Sequence, residues 1–254
     1  MSALALRIIA CLAMLIDHIG YVWGISELRY IGRIAFPIFA FLIVNGYRHT
    51  RSVQKYMLRL AVFAVISEVP CDLLFRGGIC DFSKQNVFVT LFLGLSCIAM
   101  IDIVRKRNAL LTLIPVAVFC AAAMALNCDY GYIGILTVVA FHLFYESDAK
   151  SRVLLTLSML LLSSWYAVSY NAANLVFDLT GCNLRGYWFL SPFFFDSPQT
   201  IQIYRVFALI PIFMYTGKKG WQPKSKAATK TLQYGFYAFY PAHLLILYLL
   251  KQYA

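Results

Sequence analysis

A few side chains that ionise stand inside otherwise apolar stretches: Asp17, His18, Arg33, Glu68, Asp72, His142, Arg205 and His243. Charge at membrane depth is costly, so such groups are functional candidates by default. His18 is the best candidate base, because an imidazole near its ordinary pKa can both take and return a proton. Arg7 precedes it by eleven residues, which at about 100° per residue brings the two within about 20° of one helix face, about 16 Å apart along the axis. A long ligand anchored through anionic groups at Arg7 would present its far end to His18. The plain alternative for Arg7 is snorkelling at a helix start. Asp17 points about 100° away from His18, and is expected to meet Arg33 or another helix in a buried charge pair.

Glu68 comes just before Pro70, where the helix is expected to loosen and expose carbonyls beside the carboxyl. The same device recurs at Pro37 and at Pro241, two residues before His243. The run Arg48-His49-Thr50-Arg51 is basic enough to grip phosphates, and serves equally well as an orientation signal. His49 and His142 read as interfacial. Asn86, Thr90, Asp129 and Tyr130 mark helix starts, where capping accounts for Asn and Asp.

These residues must be positioned by membrane helices. Of 254 residues, 61% are hydrophobic and 13% charged, and the mean hydropathy is +0.73. An ordinary soluble domain is about 45–50% apolar and about 25% charged, so a soluble reading fails. Each crossing takes about 20 apolar residues, which leaves room for about nine helices, eight to ten at the limits, and no separate soluble domain. The expected fold is all-α: a polytopic integral membrane helix bundle, with residues 1–254 as one transmembrane domain. Apolar runs read as helices at 4–24, 30–47, 57–75, 87–104, 109–126, 130–145, 153–169, 201–216 and 235–251.

The net charge of +11 belongs to the loops 48–59, 105–107 and 217–230. All three fall on the cytoplasmic side if the N-terminus is cytoplasmic, as the positive-inside rule requires of a multi-pass protein of the cytoplasmic (inner) membrane. The excess therefore does not point to nucleic acid. The first run lacks the short uninterrupted core of a cleavable signal and is expected to be retained. Seven cysteines show no C-x-x-C and no metal spacing, so no metal is expected; Cys71, Cys80, Cys128 and Cys182 lie toward the outer side, where a disulfide is open. The stretch 170–200, with Tyr187, Trp188, Phe189, Phe193, Phe194 and Phe195, is expected to lie at the outer interface or re-enter the membrane, either capping a site or forming an aromatic belt. Residues 32–39 and 205–213 look faintly alike, which falls short of a transporter-type repeat.

The stretches IIACLAMLIDHIGYVW (8–23), LRYIGRIAFPIFAFLIVNGYRHTRSVQKYMLRL (28–60), FAVISEVPCDLLF (63–75), NVFVTLFLGL (86–95), DYGYIGILTVVAFHLFYE (129–146) and FYPAHLLILY (239–248) resemble the TraX family, in order along nearly the whole chain except about 147–235. What the resemblance implies is a membrane acetyltransferase: the namesake acetylates the N-terminus of a conjugative pilin, and the family is grouped with membrane acyltransferases that use acetyl-CoA. Related acyltransferase-3 proteins carry an Arg, ten residues and a His in the first helix, and an Arg-x-x-Arg at a cytoplasmic helix end. Arg7 with His18, and Arg48 with Arg51, match both.

The resulting expectation places His18 and Asp17 at the chemistry. Arg7, Arg48 and Arg51 take the phosphates of acetyl-CoA, and Arg33, Glu68, Asn86 and His243 support the acceptor. That acceptor is a pilin or other exported peptide, or a glycan or lipid amine; oligomeric state is open. The competing class is a permease for a small ionic solute, supported by the intramembrane charges and opposed by the missing repeat. A non-catalytic assembly scaffold would leave the charges of the first helix unexplained.

Overall fold

The computed structural model describes residues 1–79, 81, 83–186, 193, 195 and 199–253. Among them the chain is all-α, with one isolated bridge between Gln85 and Cys128. The helices are α1 (Ala3–Val22), α2 (Ser26–Gly32), α3 (Ala35–His49), α4 (Val53–Arg76), α5 (Val87–Arg105), α6 (Leu113–Ala125), α7 (Gly131–Leu143), α8 (Ala149–Thr180), α9 (Leu209–Phe213) and α10 (Lys226–Tyr253). Shorter 3-10 segments include Ala109–Thr112 and Thr200–Ala208.

Helix starts follow local chemistry. Side-chain oxygens of Ser2, Ser52, Asn86 and Asp148 accept the N–H groups of Ala5, Lys55, Phe88 and Ser151, filling donors that a first turn leaves idle. The bonds from Ser151 hold the Asp148 carboxyl below its ordinary range. Gly77 and Gly181 end α4 and α8 with φ of 74° and 69°, left-handed geometry that favours glycine.

Among the described residues, three helices are long and apolar enough to cross a membrane: α1, α5 and α8. Their outward faces, and those of their neighbours, expose large apolar side chains such as Val65, Leu161, Leu175 and Leu179, a surface suited to lipid rather than water. The nine apolar runs do not map onto nine single helices. The run 30–47 is broken at Arg33 and Ile34 into α2 and α3. The run 201–216 is a 3-10 segment followed by the five-residue α9. Residues 170–180 continue α8, which runs past the apolar run 153–169. Pro70 and Pro241 lie within unbroken α4 and α10, and Pro37 sits in the first turn of α3, where its missing N–H costs little. Of the aromatic cluster, Tyr187, Trp188, Phe189 and Phe194 lie outside the described residues, as does Cys80; Cys71 and Cys128 are buried, unbridged thiols.

Contacts across the bundle define its two ends. At the first, Ala3 N donates to Lys218 O at 2.9 Å and Leu4 N to Lys219 O at 3.1 Å. Nearby, Asn45 Oδ1 accepts from Tyr145 and Tyr215 hydroxyls at 2.6 and 3.2 Å. This end carries the basic loops. At the opposite end Lys84 pairs with Asp129 at 2.9 Å, and Arg76 ties Asp72 to the carbonyls of Asp81 and Lys84.

α1 and α2 approach closely at Gly32. A Cβ at Gly32 would lie 2.1 Å from Asp17 Cβ and 2.6 Å from its Cα, so only glycine fits. Gly32→Ala is expected to push the helices apart and lower stability by about 1–3 kcal/mol; an unchanged thermal midpoint in detergent would contradict that close approach.

Candidate functional site

A cavity of about 1490 Å³ runs between the two ends of the bundle. At the basic end its wall carries Arg7, His49, Thr50, Arg59 and Lys219. Tyr56, Phe88, Tyr237 and Tyr240 line it further in, with Asp17, His18, Arg33 and Asn86, and Lys84 and Asp129 mark the far end. The carboxylates on this wall, among the described residues, are Asp17 and Asp129, and each already has a cationic partner. The basic end therefore carries positive charge with no carboxylate on the cavity wall beside it, a field that draws anionic groups inward.

Arg7 and His18 both line the cavity from α1, as the helical spacing requires. His18 Nδ1 lies 2.7 Å from His243 Nε2, and His243 Nδ1 lies 2.7 Å from Phe239 O. The ring planes differ by 2° with centroids 4.9 Å apart, so the imidazoles meet edge to edge. A carbonyl only accepts, so His243 Nδ1 carries a proton. In the neutral ring its Nε2 is then an acceptor, and the proton between the rings sits on His18 Nδ1. His18 Nε2 is left as the lone pair of a cavity-lining imidazole. The chain of bonds thus selects the tautomer a base needs.

Arg33 Nη2 donates to both carboxylate oxygens of Asp17, with Arg29 Nε at 3.7 Å. This is the charge pair expected from the sequence, and it fixes α1 against the α2–α3 break. Asn86, besides capping α5, donates to Glu68 Oε2 and, at 2.8 Å, to Ala64 O. Glu68 is also 3.7 Å from Arg76. Asn86 and Glu68 therefore brace α4 against α5, and Asn86 is the one of the two that lines the cavity.

Arg48 and Arg51 are not on the cavity wall. Arg48 pairs with Glu146 at 2.9 Å, donates to His142 O at 3.2 Å and stands over the Tyr145 ring at 4.2 Å; Arg51 is exposed. Arg59, Thr50 and Lys219 take the wall instead. Arg59, one turn beyond Tyr56 on α4, was visible in the sequence only as one more basic residue of its loop. The stripe Tyr237, Tyr240, His243, Leu244 and Leu247 has helical spacing and marks the inner face of α10, a signal that was legible. His142, one residue before the end of α7, is buried, with Nε2 2.9 Å from Asp102 Oδ1. Phe195 lines the cavity and packs on Tyr166, ring centroids 4.4 Å apart.

The family model described as TraX protein matches residues 2–251. The chain belongs to the TraX family. It is similar to the probable fimbrial assembly protein FimC, serogroup H1, of Dichelobacter nodosus: 29% identical over 261 residues, covering 97% of this chain and 94% of that protein. It is also 34% identical over 91 residues to the uncharacterized protein RP591 of Rickettsia prowazekii (strain Madrid E), covering 35% of this chain and 33% of that one. No solved structure matches. In this TraX-family chain the matched region contains every wall residue named above. Among the described residues no group of three or more His, Cys, Asp or Glu side chains could hold a metal.

Proposed function

We propose that the protein is an acyltransferase of the cytoplasmic (inner) membrane, moving acetyl from cytoplasmic acetyl-CoA to an amine or hydroxyl of a membrane-located or exported acceptor. A pilin-type peptide N-terminus is the first acceptor class, and a glycan or lipid amine the second. The observation that carries this reading is one cavity joining a basic mouth to the His18–His243 pair. The positive-inside rule turns that mouth to the cytoplasm.

Arg7, His49, Arg59 and Lys219 hold the donor's phosphates by charge-assisted hydrogen bonds. Arg51, exposed beside Thr50, adds to the field of the basic mouth, while Arg48 is held by Glu146. The span of about 16 Å from Arg7 to His18 is what a phosphate-anchored thioester arm would cross. The donor supplies an activated acetyl carbonyl. His18 Nε2 takes the proton of the acceptor nitrogen or oxygen as that atom bonds to the acetyl carbon, then passes it to the thiolate released when the C–S bond breaks. His18 finishes neutral, as it began. While it is protonated, His243 keeps the ring in place and relays the dipole of the Phe239 carbonyl. Asp17 and Arg33 shape the wall beside it, and Glu68 holds Asn86.

Equilibrium binding of acetyl-CoA to the detergent-purified protein tests the reading, with free CoA and a phosphate-free thioester as controls. Saturable binding is expected, weakened about tenfold or more by Arg7→Ala, the effect of losing one charge-assisted hydrogen bond. No binding by a demonstrably folded protein would overturn the donor assignment and put solute transport first.

A further inference from the structure

Arg205 is a charge at membrane depth that the acyl-transfer scheme leaves unused. It stands on the 3-10 segment Thr200–Ala208. With three residues per turn, Gln202 and Arg205 are eclipsed on one face, about 6 Å apart along the axis. Arg205 is fully buried at 0% exposure. Its Nη2 donates to Thr137 Oγ1 at 3.0 Å, and that hydroxyl gives its own proton to Ile133 O at 2.7 Å. Nε and Nη1 have no hydrogen-bond partner, and no ion pair among the described residues includes Arg205. The guanidinium carbon lies 5.4 and 5.6 Å from the ring centroids of Phe36 and Tyr130. Those rings stack on each other at 3.7 Å and both line the cavity. Gln202 lines it too, and its Oε1 is buried without a donor.

Ring faces offset only part of the cost of burying a cation. What the arginine lacks is an anion, and what Gln202 Oε1 lacks is an N–H. A phosphate dianion or a plain carboxylate answers the first need and not the second. A carboxylate with an N–H close beside it answers both, and an acidic residue within a peptide presents that pair. We propose that Arg205, buried behind the Phe36 and Tyr130 rings of the cavity wall, and the wall residue Gln202 form a subsite for an acidic residue of a peptide ligand. Arg205 takes the carboxylate, and Gln202 Oε1 takes a backbone N–H. That the peptide is the acetyl acceptor rests on the reading above; its binding does not.

The test is equilibrium binding, without acetyl-CoA, of the amidated tetrapeptides Ala-Asp-Ala-Ala and Ala-Ala-Asp-Ala against their Asn counterparts. At least one Asp peptide is expected to bind tenfold or more tighter than its Asn partner. Arg205→Gln should bring that ratio to about one, and Gln202→Leu should weaken binding several-fold. Lys106→Ala, on the exposed surface, should leave both unchanged. Should Arg205→Gln fail to fold, Arg205→Lys and Gln202→Leu carry the test: each should weaken binding of the Asp peptide several-fold, and parent affinity in both would overturn the subsite. Equal binding of Asp and Asn peptides would overturn it as well, as would tighter binding of hexyl phosphate than of any peptide. Acetyl-CoA binding on the same preparations reads the other assignment separately: its absence alongside an intact Asp preference sinks the donor and keeps the subsite.

Discussion

His18→Gln is expected to reduce acetyl transfer by about 10² to 10⁴-fold, the usual contribution of a positioned base. Glutamine preserves much of the imidazole's volume and can still donate to His243 Nε2, which His18 Nδ1 reaches at 2.7 Å, so packing against Phe75 and Tyr240 should survive. What it loses is the lone pair on a titratable ring nitrogen. The assay follows thiol release from acetyl-CoA by the reconstituted protein supplied with pilin-type peptides, and acetyl-CoA binding should stay within a few-fold of the parent. His243→Asn, which shortens the positioning side chain, should cost less and change the pH profile of the rate. A fully active His18→Gln protein would reject His18 as the base.

The second large effect is on folding. Asp17 and Arg33 are each 8% exposed, and their pairing joins α1 to the α2–α3 break. Removing one partner of a buried pair strands the other, at a cost of about 3–5 kcal/mol. Arg33→Ala should fall at the low end, because Arg29 Nε, 3.7 Å from Asp17, moves in to share the charge. The yield of monodisperse protein and its thermal midpoint in detergent report the loss. Asp17→Asn combined with Arg33→Gln should recover part of it, since no bare charge is then left buried. An Arg33→Ala protein as stable as the parent would show that the pair contributes position and not stability.

Both effects depend on residues whose types could be read from the chain and whose partners could be read only in part. Asp17 and Arg33 are sixteen residues apart on consecutive helical segments, and their pairing was foreseeable from charge and the cost of burial. His18 and His243 are separated by 225 positions. Both stood out as ionisable, but nothing local says that their rings meet. Arg48 shows the opposite failure: its spacing from Arg51 looks like a phosphate clamp, yet Glu146, 98 residues on, takes its guanidinium.

Composition and hydropathy by themselves pointed to a helical protein with segments apolar enough to cross a membrane, which the described residues bear out, and the 3.6-residue period determined that Arg7 and His18 share a face of α1. These are local properties, fixed by the solvent a segment must meet and by the geometry of one helix. The tertiary structure decided which helices are continuous, which of the basic residues line the cavity, that His243 sets the tautomer of His18, and that Arg205 is left without an anion. Each of these depends on how side chains from distant segments pack and exhaust one another's hydrogen bonds, and that competition is settled only when all the helices are in place.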